Sequence, residues 1–314
     1  MKQIQSLMPT FFGFWRHRKK LFFATRFWVS IYAFLLVILS FKLFELPLPW
    51  PTILLTSLSF SLLSASIQIV NDYHDRKNDQ KKGKVFAANN ASLILNFWLI
   101  INLATAGLLM AVYLISPKLS IFCLLIWLLG ISYSFVQKIL IVQNLIVAIC
   151  GGLPILSGGV FYGRLELKSL FIFTILLAII FVREIVKDIE DRKIDAGHKN
   201  TIPVITAQKI RSNNHIGPIK NPYFTIEHPI KKMFPDFDPE IFPSFDIAAK
   251  IIGRTSLICL LLGGWGFVTF FGMIGIIIML ALVLNRPDHY IQTAKQFINL
   301  IIAMLVLSIF IDKI

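Results

Sequence analysis

The chain has 314 residues, of which 56% are hydrophobic and 15% are charged, and its mean hydropathy is +0.73. Soluble domains carry about 25% charged residues. A soluble globule of this length could not bury so much apolar surface, which excludes a soluble enzyme, and the same composition excludes a disordered chain. Because the apolar runs are long and continuous, they predict an all-α polytopic membrane protein rather than a transmembrane β-barrel.

Nine apolar stretches follow one another along the chain, and each is long enough for a transmembrane helix. We expect them to form a bundle of about nine helices in a single domain covering residues 1–314. The predicted spans are 21–45, 51–71, 91–115, 119–136, 139–161, 167–187, 247–264, 265–284 and 294–312.

A polar segment at 204–246 separates the sixth predicted span from the seventh. Seven of the 14 prolines of the chain lie at 203–243, and such a proline content prevents a regular helix. We therefore predict a long proline-rich cytoplasmic loop here. A loop of this length is either functional, for example by capping a cavity, or an insertion without a role.

The net charge of +14 comes from 31 basic and 17 acidic residues. In a membrane protein, basic residues collect beside the cytoplasmic ends of the spans, so no nucleic acid partner is expected. With a cytoplasmic N-terminus, the basic residues left outside are Lys42, Lys118, Arg164, Lys168 and Lys313. The bias predicts an integral protein, assigned to a bacterial inner membrane, with an outer C-terminus.

Two acidic motifs of identical spacing lie where the second and sixth predicted spans meet the cytoplasm. The first reads NDYHDRKND and holds Asp72, Asp75 and Asp79; the second reads KDIEDRKID and holds Asp188, Asp191 and Asp195. Steps of three and four residues place the carboxylates of each motif on one helical face. Carboxylates at a helix C-terminus oppose the helix dipole, so a solvated helix end explains them poorly. Mg²⁺ joins carboxylates to phosphates, and the pattern favours a site that binds a diphosphate through Mg²⁺.

Cationic and amide side chains near the two motifs are candidates for direct contact with the diphosphate. The cations nearest the span ends are Lys138 and Arg183, and Lys77, Lys84, Lys187 and Arg192 are further candidates. Each of these residues could equally be an ordinary cytoplasmic flank of a span. Asn71 precedes the first motif and is a neutral candidate ligand for the metal or the substrate.

The motifs resemble those of a known family, the UbiA superfamily of intramembrane prenyltransferases. NDYHDRKND is similar to its NDxxDxxxD signature, and REIVKDIEDRKID followed by TIPV is similar to its second aspartate motif. A third stretch, ISYSFVQKILIVQNLIVAICGGLPILSG, resembles the middle region of the family and contains Tyr133, Ser134, Lys138, Asn144, Gly152 and Pro154. The resemblance covers residues 65–205.

The resemblance implies a nine-helix bundle around a lipid-accessible cavity, with Mg²⁺ as cofactor and a polyprenyl diphosphate as donor. It implies that Asp72, Asp75, Asp188 and Asp191 are catalytic, and that Asn71, Tyr133, Lys138, Asn144, Arg183 and Lys187 bind substrate. Many members have Lys-Pro-x-Arg after the first motif, where this chain reads QKKGKVFAANN, so that Lys84 stands in for the arginine.

Several acceptors and functions are compatible with these patterns. REIVKDIED is closest to the subgroup that alkylates geranylgeranylglyceryl phosphate, which makes this lipid or a related prenylglycerol phosphate the first choice. The alternative is an aromatic acceptor of quinone biosynthesis, 4-hydroxybenzoate or dihydroxynaphthoate. A transporter is a different class, since intramembrane acids mark ion pathways, but these acids lie at one membrane face. An inactive scaffold is disfavoured because all six aspartates are intact.

Overall fold

The computed structural model of the chain describes residues 17, 20–21, 25–44, 46–47, 49–81, 83, 85–136, 142–195, 242–260, 264–285 and 287–312. Every regular element in these ranges is helical. Six helical segments are long and apolar enough to cross a membrane, and Phe27–Lys42 and Thr269–Leu284 are shorter apolar helical stretches. The all-α, polytopic membrane class is therefore confirmed, whereas the number of nine spans stays a prediction.

The α-helices of the described residues are numbered here in chain order. They are α1 (Phe27–Lys42), α2 (Trp50–Lys81), α3 (Phe86–Asn89), α4 (Ala91–Ile115), α5 (Pro117–Ser132), α6 (Val142–Gly152), α7 (Ser157–Tyr162), α8 (Leu167–Asp195), α9 (Phe242–Leu260), α10 (Gly264–Asn285) and α11 (Pro287–Asp312). Short 3₁₀ turns occupy Tyr133–Phe135 and Leu153–Leu156.

A helix lies on each of the nine predicted spans, but several boundaries differ from the prediction. Helices α2 and α8 continue past the apolar runs through both acidic motifs, to Lys81 and Asp195. The predicted span 139–161 is interrupted by a 3₁₀ turn at Pro154, because proline has no N–H to donate.

The predicted loop 204–246 is too long at its C-terminal end. Helix α9 begins at Phe242, so residues 242–246 are helical. Pro243 is compatible with this start because the first turn of a helix needs no backbone N–H donors. Residues 204–241 lie outside the described residues, so a loop there stays a prediction.

The helices group into two compact units, which are described separately. Unit 1 comprises Met1–Phe135 and Leu153–Leu170, and unit 2 comprises Val136–Gly152 and Phe171–Ile314. In unit 1, α2 packs against α1 and α4. In unit 2, α8 is the most deeply buried candidate span, with Ile172, Ile175, Leu176 and Ile179 fully inaccessible. The prediction of a single domain remains untested.

A hydrogen-bonded group of polar side chains joins three helices of unit 1. Ser66 of α2 donates to Asn102 Oδ1 of α4 at 2.8 Å, and Trp127 Nε1 of α5 donates to the Ser66 hydroxyl at 3.2 Å. Ser66 is fully buried. Such bonds add to helix association in lipid, where apolar side chains alone gain little by leaving the hydrocarbon. They hold α2 in place about two turns before the first acidic motif.

Helix α7 approaches α1 so closely that only glycine fits at residue 158. A Cβ atom on Gly158 would lie 2.5 Å from the carbonyl oxygen of Ser40 and 3.1 Å from the Cα atom of Phe41. The Gly158 N–H also donates to the Ser40 hydroxyl at 2.9 Å. Backbone atoms cannot move aside as a flexible side chain does, so this contact has no room for a larger residue.

We expect Gly158→Ala to destabilise the protein by about 1–3 kcal/mol, the usual cost of overpacking a rigid contact. Thermal unfolding of the purified protein in detergent measures the loss. Gly107→Ala on α4 is the matched control, because nothing lies within 4 Å of a Cβ atom placed there. Equal melting temperatures for the two variants would contradict the close approach of α1 and α7.

Candidate active site

The first acidic motif forms one face at the C-terminal end of α2. At 100° per residue, the carboxylates of Asp72, Asp75 and Asp79 fall within an arc of about 60°. The three side chains are partly exposed. Asn71 lies beside this arc and is 6% exposed, and its Oδ1 atom has no hydrogen-bond partner among the described residues. An unpaired buried amide oxygen next to carboxylates provides a further oxygen ligand of the kind that hard cations prefer.

The first carboxylate of this motif is already paired with an arginine. Arg26 Nη2 lies 3.1 Å from Asp72 Oδ1, and Arg26 is the residue immediately before α1. The pair is partly exposed, since the Asp72 side chain retains 22% of its accessible surface. Arg26 was not among the predicted site residues, because in the sequence it is one of many basic residues flanking the spans.

The residues between the carboxylates contact one another or an aromatic neighbour. The Arg76 guanidinium lies 4.1 Å from the centre of the Tyr73 ring, and its Nη1 donates to the Tyr73 carbonyl at 2.6 Å. The His74 ring meets the Phe135 ring edge-on with centres 5.4 Å apart. Tyr133, a predicted substrate-binding residue, is buried in the adjoining 3₁₀ turn. These contacts occupy the sides of α2 that carry no carboxylate.

The second acidic motif, in unit 2, is oriented by an amide on the neighbouring helix. Asn144 of α6 is 5% exposed, and its Nδ2 donates to Asp188 Oδ2 at 2.7 Å. The bond fixes the orientation of this carboxylate. Asn144 was predicted to bind substrate, and that role stays a prediction.

A buried glutamate lies one turn before Asp188 and faces two of the predicted substrate-binding cations. Glu184 Oε1 accepts from Arg183 Nη1 at 2.5 Å, and its Oε2 lies 3.5 Å from Lys187 Nζ. The Glu184 side chain is 6% exposed, whereas about a third of each cation is exposed. The glutamate therefore balances and positions two cations beside the second motif.

A row of polar contacts joins α8 to the last helix, α11. Glu190 accepts hydrogen bonds from Gln292 and from Lys295, the latter at 2.5 Å, and Arg183 Nε donates to Asn299 Oδ1 at 2.9 Å. The α11 residues follow at steps of three and four, so they share one face of that helix. Sequence analysis missed these three residues because they lie in the first half of the last helix, far from any motif.

The predicted site residues fall into two groups, one in each unit. On α2 lie Asn71, Asp72, Asp75 and Asp79, and Tyr133 lies in the 3₁₀ turn after α5; on α6 and α8 lie Asn144, Arg183, Lys187, Asp188 and Asp191. Lys84, Lys138 and the side chains of Arg192 and Asp195 lie outside the described residues. In the part of the chain that the structure describes, no three His, Cys, Asp or Glu residues form a ready metal cage.

The ligand atoms of both motifs suit Mg²⁺ ions that are bound by the protein and by the substrate together. All are carboxylate or amide oxygens, and Mg²⁺ is usually held by one or two carboxylates together with water and substrate phosphates. The unpaired Asn71 Oδ1 provides a further oxygen at the first motif.

Comparison with known proteins places the chain in a family. The model of the UbiA prenyltransferase family matches residues 33–214, which is more than half of the chain and includes both acidic motifs. The chain belongs to the UbiA prenyltransferase family. As a UbiA protein it is a membrane enzyme that transfers a prenyl group from a prenyl diphosphate donor to an acceptor, and the family binds the diphosphate through divalent metal ions.

Two solved UbiA-type structures share the fold. A structure described for a digeranylgeranylglyceryl phosphate synthase aligns with a TM-score of 0.61 and 18% identity, over 95% of this chain and 99% of that one. A UbiA homologue from Aeropyrum pernix K1 aligns with a TM-score of 0.63 and 12% identity, over 92% and 98% of the two chains. No curated protein sequence matches the chain. At these identities the structural likeness supports the fold alone.

Proposed function

We propose that this UbiA enzyme transfers a polyprenyl group to the glycerol hydroxyl of geranylgeranylglyceryl phosphate or a related prenylglycerol phosphate. The observation that carries the diphosphate chemistry is the pair of matched acidic helix ends, each with an oxygen-rich face. Their position also suits the donor, because its tail belongs in lipid and its diphosphate at the membrane boundary.

Mg²⁺ is the proposed cofactor, held by Asp72, Asp75, Asp188 and Asp191 with Asp79, Asp195 and the Asn71 amide oxygen as further ligands. When bound, Mg²⁺ neutralises the charge that builds on the departing diphosphate.

The side chains of the protein supply positioning and further positive charge. Arg183 and Lys187 bind diphosphate oxygens, and the buried Glu184 keeps both cations beside the second motif. Asn144 holds Asp188 in one orientation. Positive groups fixed in advance stabilise the leaving diphosphate more than mobile ones do, because they need no reorganisation during the reaction.

The proposed acceptor is supported by the REIVKDIED sequence and by basic residues available for a second phosphate. One of the structural neighbours is described as a digeranylgeranylglyceryl phosphate synthase, the same class of enzyme. The active site is proposed to lie on the cytoplasmic side with the N-terminus, and the C-terminus outside, because that orientation leaves few basic residues outside. The proposed membrane is a bacterial inner membrane.

Competition between acceptors tests this proposal. Membranes containing the protein are incubated with labelled geranylgeranyl diphosphate and three acceptors: geranylgeranylglyceryl phosphate, 4-hydroxybenzoate and dihydroxynaphthoate. We expect the label in the glycerol phosphate ether, with release of pyrophosphate. The Asp75→Ala/Asp191→Ala double variant is the control for background transfer. Label in an aromatic product and not in the ether would favour the quinone-pathway alternative.

A further inference from the structure

Arg26 has a backbone conformation that is unfavourable for arginine. Its φ of 46° and ψ of 58° are left-handed, and it is the one non-glycine residue with positive φ among the described residues. Its carbonyl accepts from the Val29 N–H at 2.7 Å, which starts α1. Glycine or asparagine would occupy this conformation at lower cost, because other side chains crowd the backbone there.

The ion pair that the structure describes for Arg26 adds little stability to the fold. The side chain reaches 46 residues along the sequence to Asp72, but it is 41% exposed. Exposed ion pairs contribute little to folding, because water screens them and ordering the side chains costs entropy. The conformational cost and the weak pair together indicate that the guanidinium has a role at the first motif.

The guanidinium occupies one carboxylate oxygen of a proposed metal ligand. Arg26 Nη2 contacts Oδ1 of Asp72, a residue that the proposed function gives to Mg²⁺. A guanidinium bound to this oxygen opposes the binding of a metal ion, because it occupies a lone pair and because the two positive charges repel each other. Once released, an arginine fork is suited to phosphate oxygens, which it binds with two parallel hydrogen bonds.

We propose that Arg26 is the resident counter-ion of the first acidic motif, which the metal displaces from Asp72 and which then contacts the diphosphate. Arg26 thereby weakens binding of the metal alone and favours binding of metal together with diphosphate. This inference rests on the proposed function, since it takes Asp72 as a metal ligand. Arg26 is a positioning residue for Asp72 before the donor binds.

Metal binding without turnover provides the test. Mn²⁺ is titrated into the purified protein in detergent and followed by electron paramagnetic resonance, first alone and then with inorganic pyrophosphate. Arg26→Asn removes the charge and keeps a residue that tolerates left-handed φ. We expect it to bind Mn²⁺ alone about three- to tenfold more tightly than the wild type. Pyrophosphate should tighten Mn²⁺ binding more in the wild type than in the variant.

Arg76→Asn is the matched control, because it removes the same charge beside the first motif, at the end of α2. Arg76 contacts the ring and carbonyl of Tyr73 rather than a carboxylate in the described contacts. We expect Arg76→Asn to change Mn²⁺ affinity less than about twofold. Melting temperatures of the three proteins check that they are folded.

The possible results separate this inference from the proposed function. Equal Mn²⁺ affinity in Arg26→Asn and the wild type, or an equal gain in Arg76→Asn, would overturn the role of Arg26 while leaving prenyl transfer intact. If the wild type binds no Mn²⁺ even with pyrophosphate, the metal-dependent function itself fails, and the role of Arg26 with it.

Discussion

Replacing Asp188 by Asn is expected to lower turnover by about 10²- to 10³-fold, the effect of removing a charged group that acts on the transition state. The change keeps the size of the side chain and removes the negative charge. We expect comparable losses for Asp72→Asn, Asp75→Asn and Asp191→Asn. Asp79 and Asp195 lie farther along each helix end, and their replacement should lower turnover less. Pyrophosphate release from labelled donor measures each rate.

Asp246→Asn is the matched control for the aspartate series. Asp246 lies on α9 outside both motifs, is partly exposed, and pairs with Lys250 at 2.7 Å. Its replacement should leave turnover unchanged. EDTA should abolish wild-type activity, and added Mg²⁺ should restore it. Full activity in EDTA, or in any of the four variants expected to fail, would refute the metal-diphosphate mechanism.

Glu184→Gln is expected to destabilise the protein by about 2 kcal/mol and to weaken donor binding. Removing one partner of a buried pair costs about 3–5 kcal/mol, but Arg183 and Lys187 are partly exposed, so water screens part of the effect. The two cations then repel each other without a counter-ion. Thermal unfolding and the KM for donor measure the two effects.

The control for this variant is Glu166→Gln. Glu166 pairs with Arg164 at 3.5 Å, and its side chain is 31% exposed, so the same chemical change should cost at most about 0.5 kcal/mol. If Glu184→Gln changes stability no more than Glu166→Gln does, the buried glutamate does not hold the cations beside the second motif.

The helices could be predicted from the sequence because long apolar runs within a bilayer form helices. Within lipid every backbone N–H and C=O needs an internal partner, and a helix provides one along each such run. The helical continuation of α2 to Lys81 agrees with the three-and-four spacing of Asp72, Asp75 and Asp79. The 3₁₀ turn at Pro154 was missed, because hydropathy alone does not distinguish a distorted span from a regular one.

The partners of the site residues could not be predicted, because each contact joins residues far apart in the sequence. Arg26 and Asp72 are separated by 46 residues, and Asn144 and Asp188 by 44. The left-handed backbone at Arg26 has no sequence signal, since no glycine marks it. Family resemblance pointed to Asn144, but its hydrogen-bond partner Asp188 became known only from the structure.

The contacts between α8 and α11 bear on how the protein is made. Glu190 meets its partners 102 and 105 residues later in the chain, and Arg183 meets Asn299 116 residues later. At about 5–20 residues per second, the ribosome finishes α11 roughly 5–20 seconds after α8. During that interval these polar groups lack their native partners, a costly state in lipid. We therefore expect water at the membrane boundary or the insertion machinery to solvate these groups of α8 until α11 has been made.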